Sequence, residues 1–170
     1  MGDADAGVGR FVSSGLTPLR YHLAAIGHAR SGPEQALFEM YRARLVAPLT
    51  LKELEEKRPL PDSVRVAREG ALLLGEIQDG ALTVALDETG REMDSEAFAA
   101  FIQSAKEDAR PALTFLIGGA DGHDRAVRER ADVMLSFGRM TWPHMLVRAL
   151  LAEQLYRAER ILANHPYHRR

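Results

Sequence analysis

Side chains that can move a proton, stack on a base or bind phosphate are concentrated in the last third of the chain. His144 follows Pro143, a residue tolerated in the first turn of a helix because the N–H groups there lack intrahelical partners. Thr141 is predicted to cap that helix. The helix dipole should favour the neutral imidazole, which can accept a proton. His144 is therefore a candidate general base, although a hydrogen bond to the preceding loop is the alternative.

A charged pair and a polar run follow along the same helix and beyond it. Glu153 and Arg157 are four residues apart in the order that favours an ion pair within a helix, although Arg157 could instead turn toward a phosphate. Tyr167 can stack on a base and Arg169 can bind phosphate, a combination suited to a nucleotide that is flipped or looped out of an RNA. Without a ligand, a terminal segment this polar is expected to fray.

A glycine-rich turn at residues 118–122 is a second candidate site. Glycines after a strand let the backbone approach a ligand closely, but Gly-Gly-Ala-Asp-Gly matches neither the dinucleotide-binding pattern nor the P-loop pattern. The Asp121 carboxylate disfavours a bound phosphate and suits an uncharged nucleoside better. A tight turn without any ligand is the alternative.

The histidines do not indicate a metal site. His165 and His168, taken with His144 and Asp121, lack the helical or hairpin frame that fixes ligand geometry. We therefore expect no metal. The chain has no cysteine, which excludes disulfides and a cysteine nucleophile and is consistent with a cytoplasmic protein.

Charge is divided unevenly along the chain. The net charge is −2, but residues 110–170 hold 10 Lys and Arg against 6 Asp and Glu, a net charge of +4, and residues 1–109 have a net charge of −6. Local positive charge beside a site is what attraction of a polyanion requires. A solvated face of mixed charge is the alternative.

Alternating strands and helices are predicted to position these groups. Apolar runs predict strands at 21–26, 49–54, 81–86, 113–117 and 133–137. Helices are predicted to begin at Pro33, at Pro61, after a Ser95 cap, near Asp124 and after Thr141, and residues 87–93 are predicted to be a loop. The alternation favours a parallel-sheet α/β domain, in which ligands bind beyond the C-terminal strand ends. The loops after Leu86, Ile117 and Phe137 occupy that edge.

Apolar spacing also predicts the buried face of three helices. The predicted inward residues are Leu37, Met40, Tyr41 and Leu45 in the first helix, Val64, Ala67, Ala71 and Leu74 in the second, and Val147, Leu151, Leu155, Ala158 and Leu162 in the last. Four charged residues of the last helix do not fit its stripe: Arg148, Glu153, Arg157 and Arg160.

A length of 170 residues is that of one domain able to bury its own core. Residues 1–19 are rich in Gly, Ala, Ser and Asp, show no apolar period and are predicted to be a disordered N-terminal extension, which leaves residues 20–170 as the domain. No run of residues has the apolar length needed to span a bilayer.

Four motifs together resemble one known family. Ile-Gly-Gly-Ala-Asp-Gly at 117–122, Met-Thr-Trp-Pro-His at 140–144, Glu-Gln-Leu-Tyr-Arg-Ala at 153–158 and the ending Tyr-His-Arg at 167–169 closely resemble the RlmH family. The resemblance covers residues 20–170. It implies a SPOUT-type fold with a C-terminal trefoil knot, and methylation of ring nitrogen 3 of a pseudouridine in bacterial large-subunit rRNA, with S-adenosylmethionine as the methyl donor.

The resemblance also implies the residues of the site. It places S-adenosylmethionine against Leu86, Gly118, Phe137, Gly138, Arg139, Met140, Thr141 and Trp142. An imide nitrogen must lose a proton before methylation, and the candidates to assist are His144, Arg157, Tyr167, His168 and Arg169. Members of the family pair as homodimers through the long helix, and the tail of one protomer completes the site of the other.

Two classes of function remain open at this point. The first is the rRNA methyltransferase that the resemblance implies, acting on the subunit-interface stem-loop of assembled ribosomes. The second is a ribosome- or RNA-binding dimer that has lost methyl transfer and keeps a vestigial nucleoside pocket, or an α/β module that uses the pocket for another nucleotide. The intact motif loops and Tyr-His-Arg ending favour the enzyme.

Overall fold

The computed structural model describes residues 18–163 and contains ten elements in that range. The strands are β1 (Arg20–Ile26), β2 (Leu49–Leu54), β3 (Leu82–Glu92), β4 (Ala112–Ile117) and β5 (Val133–Ser136). The helices are α1 (Pro33–Arg42), α2 (Asp62–Leu74), α3 (Ser95–Glu107), α4 (Arg125–Arg130) and α5 (His144–Leu162). The five predicted strands and the predicted βα alternation are confirmed.

All five strands pair in parallel, in the order β2-β1-β4-β3-β5. β1 and β4 occupy the middle, which explains why their residues are buried almost without exception. Strands covered on both faces lose the alternation of apolar and polar residues and become continuous apolar runs. The predicted parallel-sheet α/β class is therefore confirmed.

Each face of the sheet has its own apolar core. Leu23 and Phe115 pack on one face with residues of α1, α3 and α5, whereas Ala24 and Leu116 pack on the other face with α2 and α4. Successive strand residues point to opposite faces, so one strand contributes to both cores. Helices on both faces are the arrangement that right-handed crossovers between parallel strands produce.

Helix α5 runs across the whole sheet, from the C-terminal edge of the strands to the N-terminal edge. Near its start, the Arg148 guanidinium pairs with Glu53 at the end of β2 and donates to the Gly27 carbonyl, 2.8 Å away, just after β1. Near its end, the Glu159 carboxylate accepts from the N–H of Val46 at 2.8 Å and of Ala47 at 3.0 Å, just before β2. Two charged residues therefore fix both ends of the helix on the sheet.

The predicted buried faces of α1 and α2 were partly wrong. In α1 the buried residue is Phe38, and two residues predicted to face inward, Leu37 and Met40, are exposed. In α2 the buried residues are Glu69, Gly70 and Leu73, whereas Val64, Ala67 and Ala71 are exposed. The cause in α2 is a close approach of α4, because the Asp124 side chain lies against Gly70 where a Cβ would stand.

The stripe predicted for α5 is largely correct. Leu151, Leu155 and Ala158 are buried, and Val147 and Leu162 are half-buried against the same core. Two polar residues join them, Arg148 and Glu159. Arg148, which does not fit the apolar stripe, is only 2% exposed, because its charge is compensated by Glu53 and by two carbonyl groups.

Two predicted helix caps and one predicted loop are corrected. Asp94, not Ser95, caps α3 by accepting from the Ala97 N–H at 2.7 Å. Helix α5 begins at His144 after Pro143, and no side chain caps it. Residues 87–93 are not a simple loop, since β3 bulges after Leu86 and then pairs again with β5 at Arg91.

Leu19, directly before the predicted start of the domain at residue 20, packs into the core. Most of the predicted extension lies outside the described residues. Between residues 18 and 163 no helix is both long and apolar enough to cross a membrane. The trefoil knot that the resemblance implies stays a prediction, because strand order alone does not determine how the chain is threaded.

Replacing Arg148 by alanine should destabilise the domain by about 3 kcal/mol, because Glu53 and the Gly27 carbonyl lose their buried cationic partner. Arg125→Ala is a suitable control, since Arg125 is paired with Glu129 on an exposed surface and its loss should cost less than about 0.5 kcal/mol. Urea unfolding followed by circular dichroism measures both changes. Equal stability of the two variants would contradict the role assigned to Arg148.

Candidate functional site

A cleft of about 720 Å³ lies at the C-terminal edge of the sheet, between the ends of β3, β4 and β5 and the start of α5. This volume lies in the range of small-molecule sites. It is the place where an open parallel sheet presents three loops to a common space. Eight predicted site residues line it together, namely Leu86, Gly118, Phe137, Gly138, Met140, Thr141, Trp142 and His144.

The glycine turn brings main chain to the cleft and leaves almost no room for side chains. A Cβ on Gly118 would lie 2.7 Å from the Gly122 carbonyl oxygen, and one on Gly119 would lie 2.6 Å from the Glu69 carboxylate. Gly122 has a φ of +75°, which few other residues adopt. Gly118, Gly119 and Gly122 therefore line the cleft with main chain rather than with side chains.

The bulge in β3 forms the charged wall of the cleft. Arg128 of α4 donates to the Asp87 carboxylate at 2.7 Å, and Thr89 also donates to that carboxylate. Burial alone would raise the pKa of Asp87, but the hydrogen bonds from Thr89 and the Arg128 guanidinium outweigh it and lower the pKa below its ordinary value. Sequence reasoning missed Asp87 and Arg128, which lie 41 residues apart.

The loop from Gly138 to Pro143 forms the rim of the cleft. Its start is fixed by Ser136, whose hydroxyl accepts from the Gly138 N–H at 3.1 Å, and Gly138 has a φ of +108°. Its middle is fixed by Thr141, whose hydroxyl donates to the Glu88 carboxylate at 2.9 Å. Between and after these points Met140 is 72% exposed and Trp142 is 40% exposed. Large apolar groups at the mouth of a cleft are suited to contact with a ligand.

Asp121 belongs to the glycine turn, and its carboxylate is paired with an arginine. Its carboxylate accepts from the Arg65 guanidinium at 2.5 Å, and Arg65 also pairs with Asp62 at 2.9 Å. The buried Glu69 lies nearby, and its pKa is raised by burial. Three carboxylates near this turn make it a poor cradle for phosphate, as the sequence indicated.

His144 and Arg157 are separated by the length of the helix between them. His144 lies in the first turn of α5 and lines the cleft. Arg157 lies 13 residues further on, about 20 Å along the helix axis, and is not part of the cleft wall. Its guanidinium pairs with Glu153 at 2.6 Å, as the spacing predicted.

The other predicted site residues fall into two groups. Arg139 is exposed on the rim loop and does not line the cleft. Tyr167, His168 and Arg169 lie outside the described residues. Among residues 18–163 no cluster of three or more His, Asp or Glu side chains is arranged to hold a metal ion.

Sequence reasoning missed His123, which lies beside the cleft without lining it. It follows the glycine turn, is 6% exposed, and its Nε2 donates to the Leu86 carbonyl at 3.0 Å. Burial lowers the pKa of the imidazole below 6.5, and the hydrogen bond to Leu86 and the nearby Asp87 carboxylate only partly oppose this shift. The sign of it in the sequence is its position directly after Gly122. Its burial depends on β3, which is distant in the chain.

Comparison with known proteins gives consistent matches. A family model described as "Predicted SPOUT methyltransferase" matches residues 19–168. A protein of Paramagnetospirillum magneticum named "Ribosomal RNA large subunit methyltransferase H" is 58% identical over 89% of this chain and 99% of its own length. A protein of Rhodospirillum rubrum with the same name is 54% identical over 86% of this chain and 97% of its own.

A solved structure gives a much weaker likeness. The SpoU methyltransferase AviRb from Streptomyces viridochromogenes, in complex with the cofactor AdoMet, is 15% identical, with a TM-score of 0.42 over 86% of this chain and 61% of that chain. Nothing in the assignment of the site depends on it.

Acid should lower the free energy of unfolding of the domain through protonation of His123. Because its pKa is lowered in the folded protein, the unfolded chain binds the proton more readily below pH 6.5, and stability is lost as the pH falls from there through the lowered pKa. One group changes stability by at most about 1.4 kcal/mol per pH unit. Urea midpoints at pH 7.5, 6.5 and 5.5 should therefore fall more steeply for the native chain than for His123→Gln. Parallel profiles would contradict a buried neutral imidazole.

Proposed function

The chain belongs to the SPOUT methyltransferase family, and from that premise we propose that it methylates ring nitrogen 3 of a pseudouridine in bacterial large-subunit (23S) rRNA. The proposed methyl donor is S-adenosylmethionine, and the proposed substrate is the subunit-interface stem-loop on assembled ribosomes. The names of its relatives support rRNA of the large subunit as the substrate. The observation that carries the proposal is the cleft at the meeting point of the three motif loops.

The residues of the cleft fit S-adenosylmethionine in size and in chemistry. The space suits a nucleoside with a short amino-acid arm, and the glycine turn supplies main-chain groups that can pair with an uncharged base. Leu86, Phe137 and Trp142 supply apolar surface for the adenine and the methylene groups. The proposed cofactor contacts are therefore Leu86, Gly118, Phe137, Gly138, Met140, Thr141 and Trp142, with Arg139 on the exposed rim.

Methyl transfer makes limited demands on the protein. S-adenosylmethionine supplies a methyl group that is already activated on a sulfonium centre, so no covalent protein intermediate is needed. The protein must align the acceptor nitrogen, exclude water and assist loss of the imide proton. Among the catalytic candidates that the structure describes, His144 lines the cleft. We assign proton removal, or its electrostatic support, to this residue.

Arg157 lies too far along α5 to act at the cleft of its own protomer, and Tyr167, His168 and Arg169 lie outside the described residues. Helix α5 is about 28 Å long and carries the chain from the cleft to the opposite edge of the sheet. We therefore propose a homodimer in which Arg157, Tyr167, His168 and Arg169 of one protomer act at the cleft of the other.

Labelled methyl transfer to ribosomes that lack the modification is the direct test of the function. Mass spectrometry of the digested nucleosides should show methylated pseudouridine in large-subunit RNA. Trp142 is the single tryptophan and lines the cleft, so its fluorescence should report binding of S-adenosylmethionine to the free protein. A fluorescence change without methyl transfer would support the RNA-binding dimer with a vestigial pocket. Transfer to a different nucleoside would overturn the substrate alone.

Mixed dimers test whether the tail acts on the partner. His144→Ala in one chain and Tyr167→Ala, His168→Ala and Arg169→Ala in the other should each abolish most activity in a homodimer. After mixing, a heterodimer contains one cleft with both sets of residues, so about one quarter of the native activity should return in a two-fold dimer. Sedimentation of each variant as a dimer is the control. No recovery after subunit exchange would contradict action in trans.

A further inference from the structure

One buried imidazole connects two of the loops that form the cleft. The Nε2 atom of His123 is 3.0 Å from the Leu86 carbonyl oxygen at the end of β3. Its other ring nitrogen lies beside Gly118, where a Cβ would stand 3.3 Å from Nδ1. Leu86 and Gly118 are both proposed cofactor contacts, whereas His123 itself is not part of the cleft wall.

The hydrogen bonding determines the form of this imidazole. A carbonyl oxygen can only accept, so Nε2 must carry the proton that is shared with Leu86. Nδ1 is buried and has no hydrogen-bond partner within the described residues. A second proton on Nδ1 would place a positive charge in a buried site, where the nearby Asp87 carboxylate offsets the cost of burial only in part. The ring is therefore held as one neutral tautomer that donates in one direction.

The backbone of His123 is fixed from the other side. Arg128 donates from Nε to the His123 carbonyl at 3.2 Å and from Nη2 to the Asp87 carboxylate at 2.7 Å. The residue thus lies inside a ring of contacts that runs from β3 to α4 and back to β3. Such a ring restricts both the imidazole and the Leu86 peptide to one position.

We propose that His123 is a positioning residue that orients the Leu86 peptide and the Gly118 turn for binding of S-adenosylmethionine. The inference rests on the proposed function, since it assigns a role in the same cleft. A hydrogen bond to the carbonyl of Leu86 fixes the whole planar peptide unit between Leu86 and Asp87. Loss of that bond frees the cleft backbone to rotate. We expect this to weaken cofactor binding more than it slows the methyl-transfer step.

Three substitutions distinguish this role from simple core packing. His123→Gln places an amide N–H near the position of Nε2, so the bond to Leu86 can be kept. His123→Asn carries the same amide on a chain one methylene shorter, which cannot reach. His123→Leu removes the donor and keeps an apolar side chain. His22→Leu is a matched control, because His22 is buried against Thr50 on β2, away from the cleft.

The experiment is titration calorimetry of S-adenosylmethionine into each full-length variant, with the thermal midpoint measured in parallel. We expect Kd to rise at least tenfold for His123→Asn and His123→Leu and to stay within about threefold of the native value for His123→Gln. His22→Leu should change the thermal midpoint and leave Kd unchanged. If His123→Leu does not fold, the comparison of Asn with Gln decides the question.

The outcomes distinguish failure of the positioning role from failure of the proposed function. Native affinity in His123→Asn, or equal loss in the Asn and Gln variants, would overturn the positioning role and leave the cofactor assignment intact. Failure of the native protein to bind S-adenosylmethionine would overturn the proposed cofactor, and the inference with it. Loss of affinity in Asn, rescue in Gln and no change in His22→Leu would support both.

Discussion

In a parallel sheet the chain must cross back before each new strand, so the C-terminal ends of all strands lie at the same edge. β3 pairs in this way with β4 on one side and with β5 on the other. The loops that follow these three strands therefore meet, although they are far apart in sequence. The cleft is a direct result of that pairing. The bulge after Leu86 adds a polar wall, since β3 leaves the ladder with β5 and returns to it at Arg91.

Buried charge holds this edge of the sheet in place. Arg148 on α5 is compensated by Glu53 and by carbonyl groups just beyond β1, while Arg128 on α4 is compensated by Asp87 on the bulge. Each pair joins a helix to a strand end and fixes the orientation of the two more closely than an apolar contact could. A charged group removed from water, such as the Arg148 guanidinium or the Asp87 carboxylate, must find its partner in one geometry, so these pairs give direction where the apolar core gives cohesion.

Sequence reasoning predicted those features that depend on neighbouring residues. Apolar runs located all five strands, and the rule for parallel sheets located the cleft through Leu86, Gly118 and Phe137. The features it missed depend on distant partners. Gly70 faces inward because Asp124 approaches it, Arg148 is buried because Glu53 meets it, and His123 is buried because β3 covers it. No local period carries information about a partner that lies tens of residues away.

The position of α5, after all five strands in the element order, bears on how the domain folds. Its contact between Arg148 and Glu53 closes a segment of 95 residues, and the core on that face of β1 is complete only once this helix has packed beside α1 and α3. Contacts between distant residues slow folding, because loop entropy is lost before the contact forms. Before α5 packs, the apolar face of β1 and β2 is only partly covered. A chain in which α5 has not yet docked therefore exposes apolar surface, and such species are prone to aggregate.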